Sequence, residues 1–363
     1  MPLKEPDWWY NSDAQQQARL LGPLGYIYGR VAAHRLKFAQ PYTSIIPVIC
    51  VGNFTAGGTG KTPLTILLAE HLRAIGERPA LLTRGYGGSV RGPHLVNPTT
   101  DNALRTGDEA LLLARRAPTI VSPNRAAGAR FIESIRHNTP TVIVMDDGLQ
   151  NPSIAKMLRI AVVDARRGIG NGQVIPAGPL RAPLIDQLDV ADAIIINAGP
   201  MQTVGEPIIS DHLIQIFERA RFSGPILRGG IVPRTNLDDL KGKSVLAFAG
   251  IGHPERFFDT LRLGGVDVAE AVSFKDHHFF DAGDAERLLI RAKAIGAQLV
   301  TTEKDHVRLL SYEDQRGELA TLAIPLDIKM SLPDADMSIL ADLVDQAIKP
   351  DDLIADQLRR FEP

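Results

Sequence analysis

The stretch Thr55-Ala56-Gly57-Gly58-Thr59-Gly60-Lys61-Thr62 decides the fold. Glycines let successive backbone N–H groups turn inward around an anion, Lys61 adds a positive point charge, and the Thr62 hydroxyl can ligate Mg²⁺. The apolar run at 45–51 just upstream reads as a buried strand and 63–73 downstream as a helix, so the anion would sit at a helix N-terminus, where the dipole favours it. The loop departs from G-x-x-x-x-G-K-[ST] at Thr55, where the first glycine would stand. A glycine-rich turn alone would mean little. With Gly-Lys-Thr in order between a strand and a helix, it reads as a phosphate-binding loop for a nucleoside triphosphate, with positions 55 to 62 as the nucleotide-binding set.

Outward from this loop, strand-like runs at 80–83, 119–122, 141–145, 159–163 and 193–197 alternate with helical segments. That rhythm predicts an α/β fold, a P-loop mostly parallel sheet flanked by helices, with ligands at the carboxyl ends of its strands. A second series, with strands at 244–249, 267–271 and 298–302 and helices at 254–263 and 281–295, predicts a smaller α/β domain. The expected division is an amphipathic N-terminal region at 1–40, the nucleotide-binding domain at 41–222, a linker at 223–233, the smaller domain at 234–332 and a helical segment at 333–363.

A chain of 363 residues that is 44% hydrophobic can build two cores, and its net charge of -2 offers no basic field for nucleic acid. Cys50, the only cysteine, falls in the expected core strand, which leaves no disulfide framework or thiolate cluster and suits a reducing cytoplasm. Neither a signal peptide nor a membrane-spanning run is expected. The charge is uneven, however. Positions 14–69 contain no Asp or Glu, while Arg19, Arg30, Arg35, Lys37 and Lys61 all fall there. Within that segment Leu20, Leu24, Ile27, Tyr28 and Val31 recur at helical spacing behind Trp8, Trp9 and Tyr10. Such a helix can lie in a membrane interface or pack on the protein's own core.

Several further motifs could carry chemistry. Asp146-Asp147-Gly148 follows the strand at 141–145, where a P-loop enzyme presents its acid to Mg²⁺, although Asp-Asp-Gly also makes turns. Gly107-Asp108-Glu109 opens an apolar helix, and Asp108 as an N-cap is the plain alternative. Phe274-Lys275-Asp276-His277-His278-Phe279 follows a strand of the second series; an imidazole beside a carboxylate can activate a hydroxyl, and a zinc site lacks a third ligand at recognisable spacing. The loops at Arg84-Gly85-Tyr86-Gly87-Gly88, Asn124-Arg125, 168–172 and 176–181 are rich in Gly and Arg, which suits phosphate. Thr301-Thr302-Glu303-Lys304-Asp305 closes a late strand and could serve the nucleotide or the domain interface.

Taken with Val51-Gly52-Asn53-Phe54, Pro176 to Arg181 and Phe248-Ala249-Gly250-Ile251-Gly252, these motifs closely resemble the tetraacyldisaccharide 4′-kinase family of lipid A synthesis, from about position 20 to 325. The resemblance implies transfer of the ATP γ-phosphate, with Mg²⁺, to the 4′-hydroxyl of an acylated glucosamine disaccharide 1-phosphate at the cytoplasmic face of the inner membrane. By position it implies a dyad of Asp108 and His277 with Asp108 as base, the acidic pair Asp146 and Asp147 at the metal with Thr62, and Lys61 on the phosphates. Arg125 or Arg181 would steady the transferring group. Because the dyad residues fall in different domains, closure of one on the other is expected. Asn151, Ala182 and His253 depart from the family's usual histidine, glutamate and asparagine, which bears on the substrate loops. The rival reading is a P-loop ATPase switch that acts on a protein partner, and a peripheral membrane scaffold with a vestigial loop is a third.

Overall fold

The computed structural model describes residues 6–11, 15–201, 207–310, 312 and 314–349. Parts of the expected terminal segments, 1–5, 12–14 and 350–363, lie outside the described residues. The first unit is built on β1 (Val48–Gly52), β2 (Pro79–Thr83), β3 (His94–Leu95), β4 (Thr119–Val121), β5 (Val142–Asp146), β6 (Leu158–Asp164), β7 (Ala193–Pro200) and β8 (Ile226–Pro233). The second holds β9 (Ser244–Ala249), β10 (Asp267–Ser273), β11 (Gln298–Thr302) and β12 (Ile324–Leu326), after which β13 (Ile328–Ser331) returns to the first.

The large sheet has nine strands in the order β13-β8-β7-β6-β1-β5-β2-β4-β3, parallel except for β13 and β3 at its two edges. Its central strands are apolar throughout because both faces are covered: Ile49, Val51, Val144 and Ile160 face one core, and Cys50, Ile143 and Met145 the other. Parallel strands bring all their carboxyl ends to one rim, and there the loops after β1, β2, β4, β5 and β6 meet. The small sheet, β10-β9-β11-β12, is fully parallel and buries Phe248, Phe258 and Val300.

The stretch expected as a linker is instead largely strand. Gly229, Gly230 and Pro233 give 223–233 a linker's composition, but Leu227, Ile231 and Val232 are buried. β8 pairs with β7 on one side and β13 on the other. A Cβ on Gly230 would meet Met201 Sδ at 2.5 Å, so that glycine serves close packing rather than flexibility. The final helix, Asp334–Ile348, likewise docks on the large sheet through Leu340, Val344 and Ala347. The small unit is therefore an insertion between β8 and β13. Its two connections are tied where Arg234 N donates to Asp327 O at 2.8 Å and Asp327 N to Thr235 Oγ1 at 2.8 Å.

The helix Gln15–Phe38 forms despite Pro23 and its glycines. Gly25 and Gly29 are buried against the 174–183 loop, while Leu20, Leu24, Ile27, Tyr28 and Val31 are exposed.

Candidate active site

The loop after β1 takes its shape from its glycines and from what holds its carbonyls. Gly57 and Gly60 adopt φ of 99° and 98°, a left-handed region open to glycine. Gly60 opens directly into the helix Lys61–Ala74. Asn53 Nδ2 donates to Gly57 O at 3.2 Å, Asn197 Nδ2 to Thr59 O at 2.9 Å and Arg181 Nε to Thr55 O at 3.1 Å. Ala56 N is itself spent on Pro179 O at 2.8 Å, so the amides left for an anion are those of the glycine-rich half of the loop running into the helix. Beside them the buried Thr59 hydroxyl has no hydrogen-bond partner and can donate to an anion, while the unpartnered Asn53 Oδ1 can only accept.

Asp146 ends β5 and Asp147 follows it at φ 53°. Thr65 Oγ1 donates to Asp146 Oδ1 at 3.2 Å. Burial pushes the Asp146 carboxyl up to about 7, with the charge of Glu109 adding to it against the pull of Lys61. For Asp147 burial acts in the same direction, but Lys61 and Arg181 outweigh it and hold that carboxyl down to about 2. Lys61 Nζ lies 3.6 Å from Asp147 Oδ1, and Arg181 Nη1 donates to both Asp147 oxygens at 3.0 and 3.2 Å. Asp146 and the buried Thr62 supply oxygen donors that suit Mg²⁺. Among the described residues no group of three or more His, Cys, Asp or Glu forms a metal site, so such an ion would draw its other ligands from phosphate and water.

Asp108 and His277 meet across the cleft between the units: His277 Nδ1 lies 3.2 Å from Asp108 Oδ2. Asp108 is the first residue of the helix Asp108–Ala114, after Gly107 at φ 89°, and its Oδ1 accepts from Glu109 N at 2.8 Å. Oδ2 also accepts from Arg308 Nε at 2.9 Å and from Arg308 Nη2. Burial opposes the Asp108 charge, yet His277, Arg308 and Lys304 drive its pKa far below the carboxylate range. Its hydrogen bond to Asp108 raises the pKa of His277, against the effect of burial. His277 sits at φ 54°, a strained conformation for a side-chain-bearing residue, and its ring centroid is 5.4 Å from that of Tyr86.

The other expected residues fall in different places. Arg125 is 2% exposed and donates through Nη1 to Ser122 O at 2.7 Å, while its buried Nε has no partner; an anion would have to enter its pocket to meet it. His278 bonds Asp284 Oδ2 through Nε2 at 2.7 Å and stacks on Phe274, an internal role away from the dyad. Asn151 shapes a turn, its Oδ1 accepting from Ser153 N at 2.9 Å. Ala182 is fully buried, and His253 lines a cavity of about 230 Å³ with Arg166, Arg167 and Arg256. Sequence reasoning missed Arg308. Its one clue is its place a turn beyond Lys304 and Asp305 on the helix Glu303–Leu309.

A family model described as tetraacyldisaccharide-1-P 4′-kinase, LpxK, matches residues 17–346. The chain belongs to this family. A tetraacyldisaccharide 4′-kinase from Rhodopseudomonas palustris strain BisA53 is 46% identical over 332 residues, covering 90% of this chain and 92% of the relative. One from Parvibaculum lavamentivorans is 45% identical, covering 89% and 93%. A crystal structure of the "apo" form of LpxK from Aquifex aeolicus in complex with ATP is 25% identical with a TM-score of 0.70, covering 92% of this chain and 99% of that one. As a member of the tetraacyldisaccharide 4′-kinase family, the chain is a kinase that phosphorylates a hydroxyl in lipid A synthesis. That favours the kinase over the ATPase switch.

Proposed function

We propose that the cleft transfers the γ-phosphate of ATP to the 4′-hydroxyl of a tetraacylated glucosamine disaccharide 1-phosphate, with the Asp108–His277 pair taking the hydroxyl proton. The observation that carries this reading is their contact across the cleft, on the rim that also holds the phosphate loop. Lys61 binds the phosphates, and Arg181, ordered by Asp147 and Thr55 O, steadies the transferring group. Thr62, Asp146 and Asp147 would hold Mg²⁺, which when bound offsets charge on the β- and γ-phosphates.

The geometry supports His277 as the proton's destination. Asp108 is buried and its Oδ2 already accepts from three donors, so it makes a poor base by itself. His277 is the more open partner, with 29% of its side chain exposed against 4% for Asp108. With Nδ1–H donated to Asp108, His277 Nε2 offers a lone pair to the sugar hydroxyl. The proton passes to Nε2, the hydroxyl oxygen bonds to Pγ, and the bond from Pγ to the β,γ-bridging oxygen breaks to leave ADP. Asp108 stabilises the imidazolium as the carboxylate of a catalytic triad does.

The acceptor is a lipid, and the helix Gln15–Phe38 offers it a surface. Leu20 and Phe38 are 80% and 70% exposed, and Leu24, Ile27 and Val31 extend their apolar face beside Arg19, Arg30 and Arg35. No described helix is long and apolar enough to span a membrane. We therefore place this helix in the interface of the membrane's cytoplasmic face, with basic residues on anionic headgroups. Incubation with γ-labelled ATP and the acylated disaccharide tests the whole reading. Label in the lipid, lost in Lys61→Ala, is expected; label released only as inorganic phosphate would return the protein to the ATPase class.

A further inference from the structure

A buried carboxylate such as Asp108 needs compensation, and the small unit supplies it through a side chain that is itself built in place. Arg308 is 10% exposed at its side chain. Its Nη1 donates to Gly250 O at 2.8 Å and to Asp305 Oδ1 at 2.7 Å, while Asp305 is fixed in turn by Gly250 N at 3.0 Å and Thr302 Oγ1 at 2.6 Å. The remaining edge of the guanidinium, Nε and Nη2, faces Asp108 Oδ2. Gly250 O also accepts from His277 N at 3.0 Å. One carbonyl therefore sets the position of both small-unit groups that reach Asp108, and those groups move together.

We propose that Arg308 is a positioning residue of the phosphoryl-transfer site: from the small unit it grips Asp108, fixes His277 against that carboxylate, and shares the carboxylate's charge with the imidazole. This rests on the dyad reading above. The groups facing His277 are Asp108, Asp276 with Oδ1 3.9 Å from Nε2, Arg308 and the Tyr86 ring; those bearing on Asp108 are His277, Arg308, Lys304 and the adjacent Glu109. Arg308 alone among them touches both members of the dyad, its Nη2 lying 3.4 Å from His277 Nδ1. Its positive charge opposes protonation of His277, so its removal should leave Asp108 to favour the imidazolium.

The test is an NMR titration of the His277 ring together with pH profiles of kcat/KM in the full-length protein, for wild type, Arg308→Met and Arg308→Lys. In Arg308→Met the His277 titration and the acid limb of the profile should both move to higher pH by about one unit, and kcat at pH 7 should fall about ten-fold or more. KM for ATP should hold. Arg308→Lys should restore the titration but only part of kcat, because a lysine keeps the charge and lacks the planar fork. A His277 titration unmoved in Arg308→Met would overturn the proposal, as would wild-type kcat in Arg308→Lys if the methionine variant does not fold. A His277→Ala variant with wild-type kcat would instead overturn the dyad, and the ring titration would still report on Arg308.

Discussion

Adjacent carboxylates with opposite fates show how much of this site is set by neighbours one side chain away. Asp147 has Lys61 and Arg181 in contact with it, whereas Asp146 is bonded by a threonine hydroxyl, and burial with the charge of Glu109 outweighs the pull of Lys61 on it. Lys61, Thr62, Asp146 and Asp147 were legible because strand, turn and helix impose their spacing locally. Arg308 was not, since its meaning depends on a helix of one unit meeting a helix start of the other. Arg125 shows a different dependence on packing: the sequence offers an arginine in a loop, and only packing shows it buried with Nη1 on Ser122 O. The dyad yields a signed pH prediction. His277 has a folded pKa above its ordinary value of about 6.5, so the stability from its pairing is full below that value and lost as pH rises through the folded one. Activity runs the other way, because the acceptor must be neutral. The acid limb of kcat/KM should therefore lie above pH 6.5. His277→Ala and Asp108→Ala should each cost about two to four orders of magnitude in kcat, and the double variant no more than the worse single one. Losses that multiplied would mean the two residues act independently.

The N-terminal helix is the element on which sequence propensity misleads and packing explains. Glycine costs about 1 kcal/mol in a helix interior, so three glycines and a proline between 22 and 29 argue against a helix. The structure uses two of those glycines for approach: a Cβ on Gly25 would stand 2.7 Å from Val174 O and 3.3 Å from Ala177 Cβ. Gly25→Ala should therefore lower the melting temperature, a loss of about 1–3 kcal/mol that outweighs the helix-propensity gain. A stabilised Gly25→Ala would mean that the helix is not held against this loop. The opposite face predicts something separate. Leu24→Asp with Ile27→Asp, both at exposed positions, should leave the melting temperature within about 1 °C while sharply reducing co-sedimentation with anionic vesicles. If the double variant sediments as wild type does, the membrane contact lies elsewhere on the molecule.

At the scale of the whole molecule, the sequence displayed both sheets but not their connectivity, because strand β8 carries a linker's glycines and proline and the return strand β13 is only four residues long. What joins the units away from the chain crossings is mostly charge. Lys304 pairs with Glu109, Arg256 with Asp164, Arg308 with Asp108, and Arg116 reaches Glu303 at 3.2 Å and Asp327 at 2.6 Å. Val307 adds a buried apolar contact to the cluster of Leu111 and Val121. A polar junction of this kind, beside two separate apolar cores, suits motion of one unit on the other, and in this structure the units sit so that the dyad meets. Glu109 and Glu303 lie across the cleft from Lys304 and Arg116, so Lys304→Ala with Arg116→Ala leaves both without their ion-pair partners, while Asp327 keeps Arg234 at 3.8 Å, and the deficit favours an open state reaching water. Small-angle X-ray scattering should then show a larger radius of gyration than wild type. ATP binding to the loop should change by no more than a few-fold, while kcat falls at least ten-fold because His277 and Asp108 meet less often. Unchanged scattering with a reduced kcat would instead locate the effect in the local field at Asp108, since Lys304 also bears on that carboxylate.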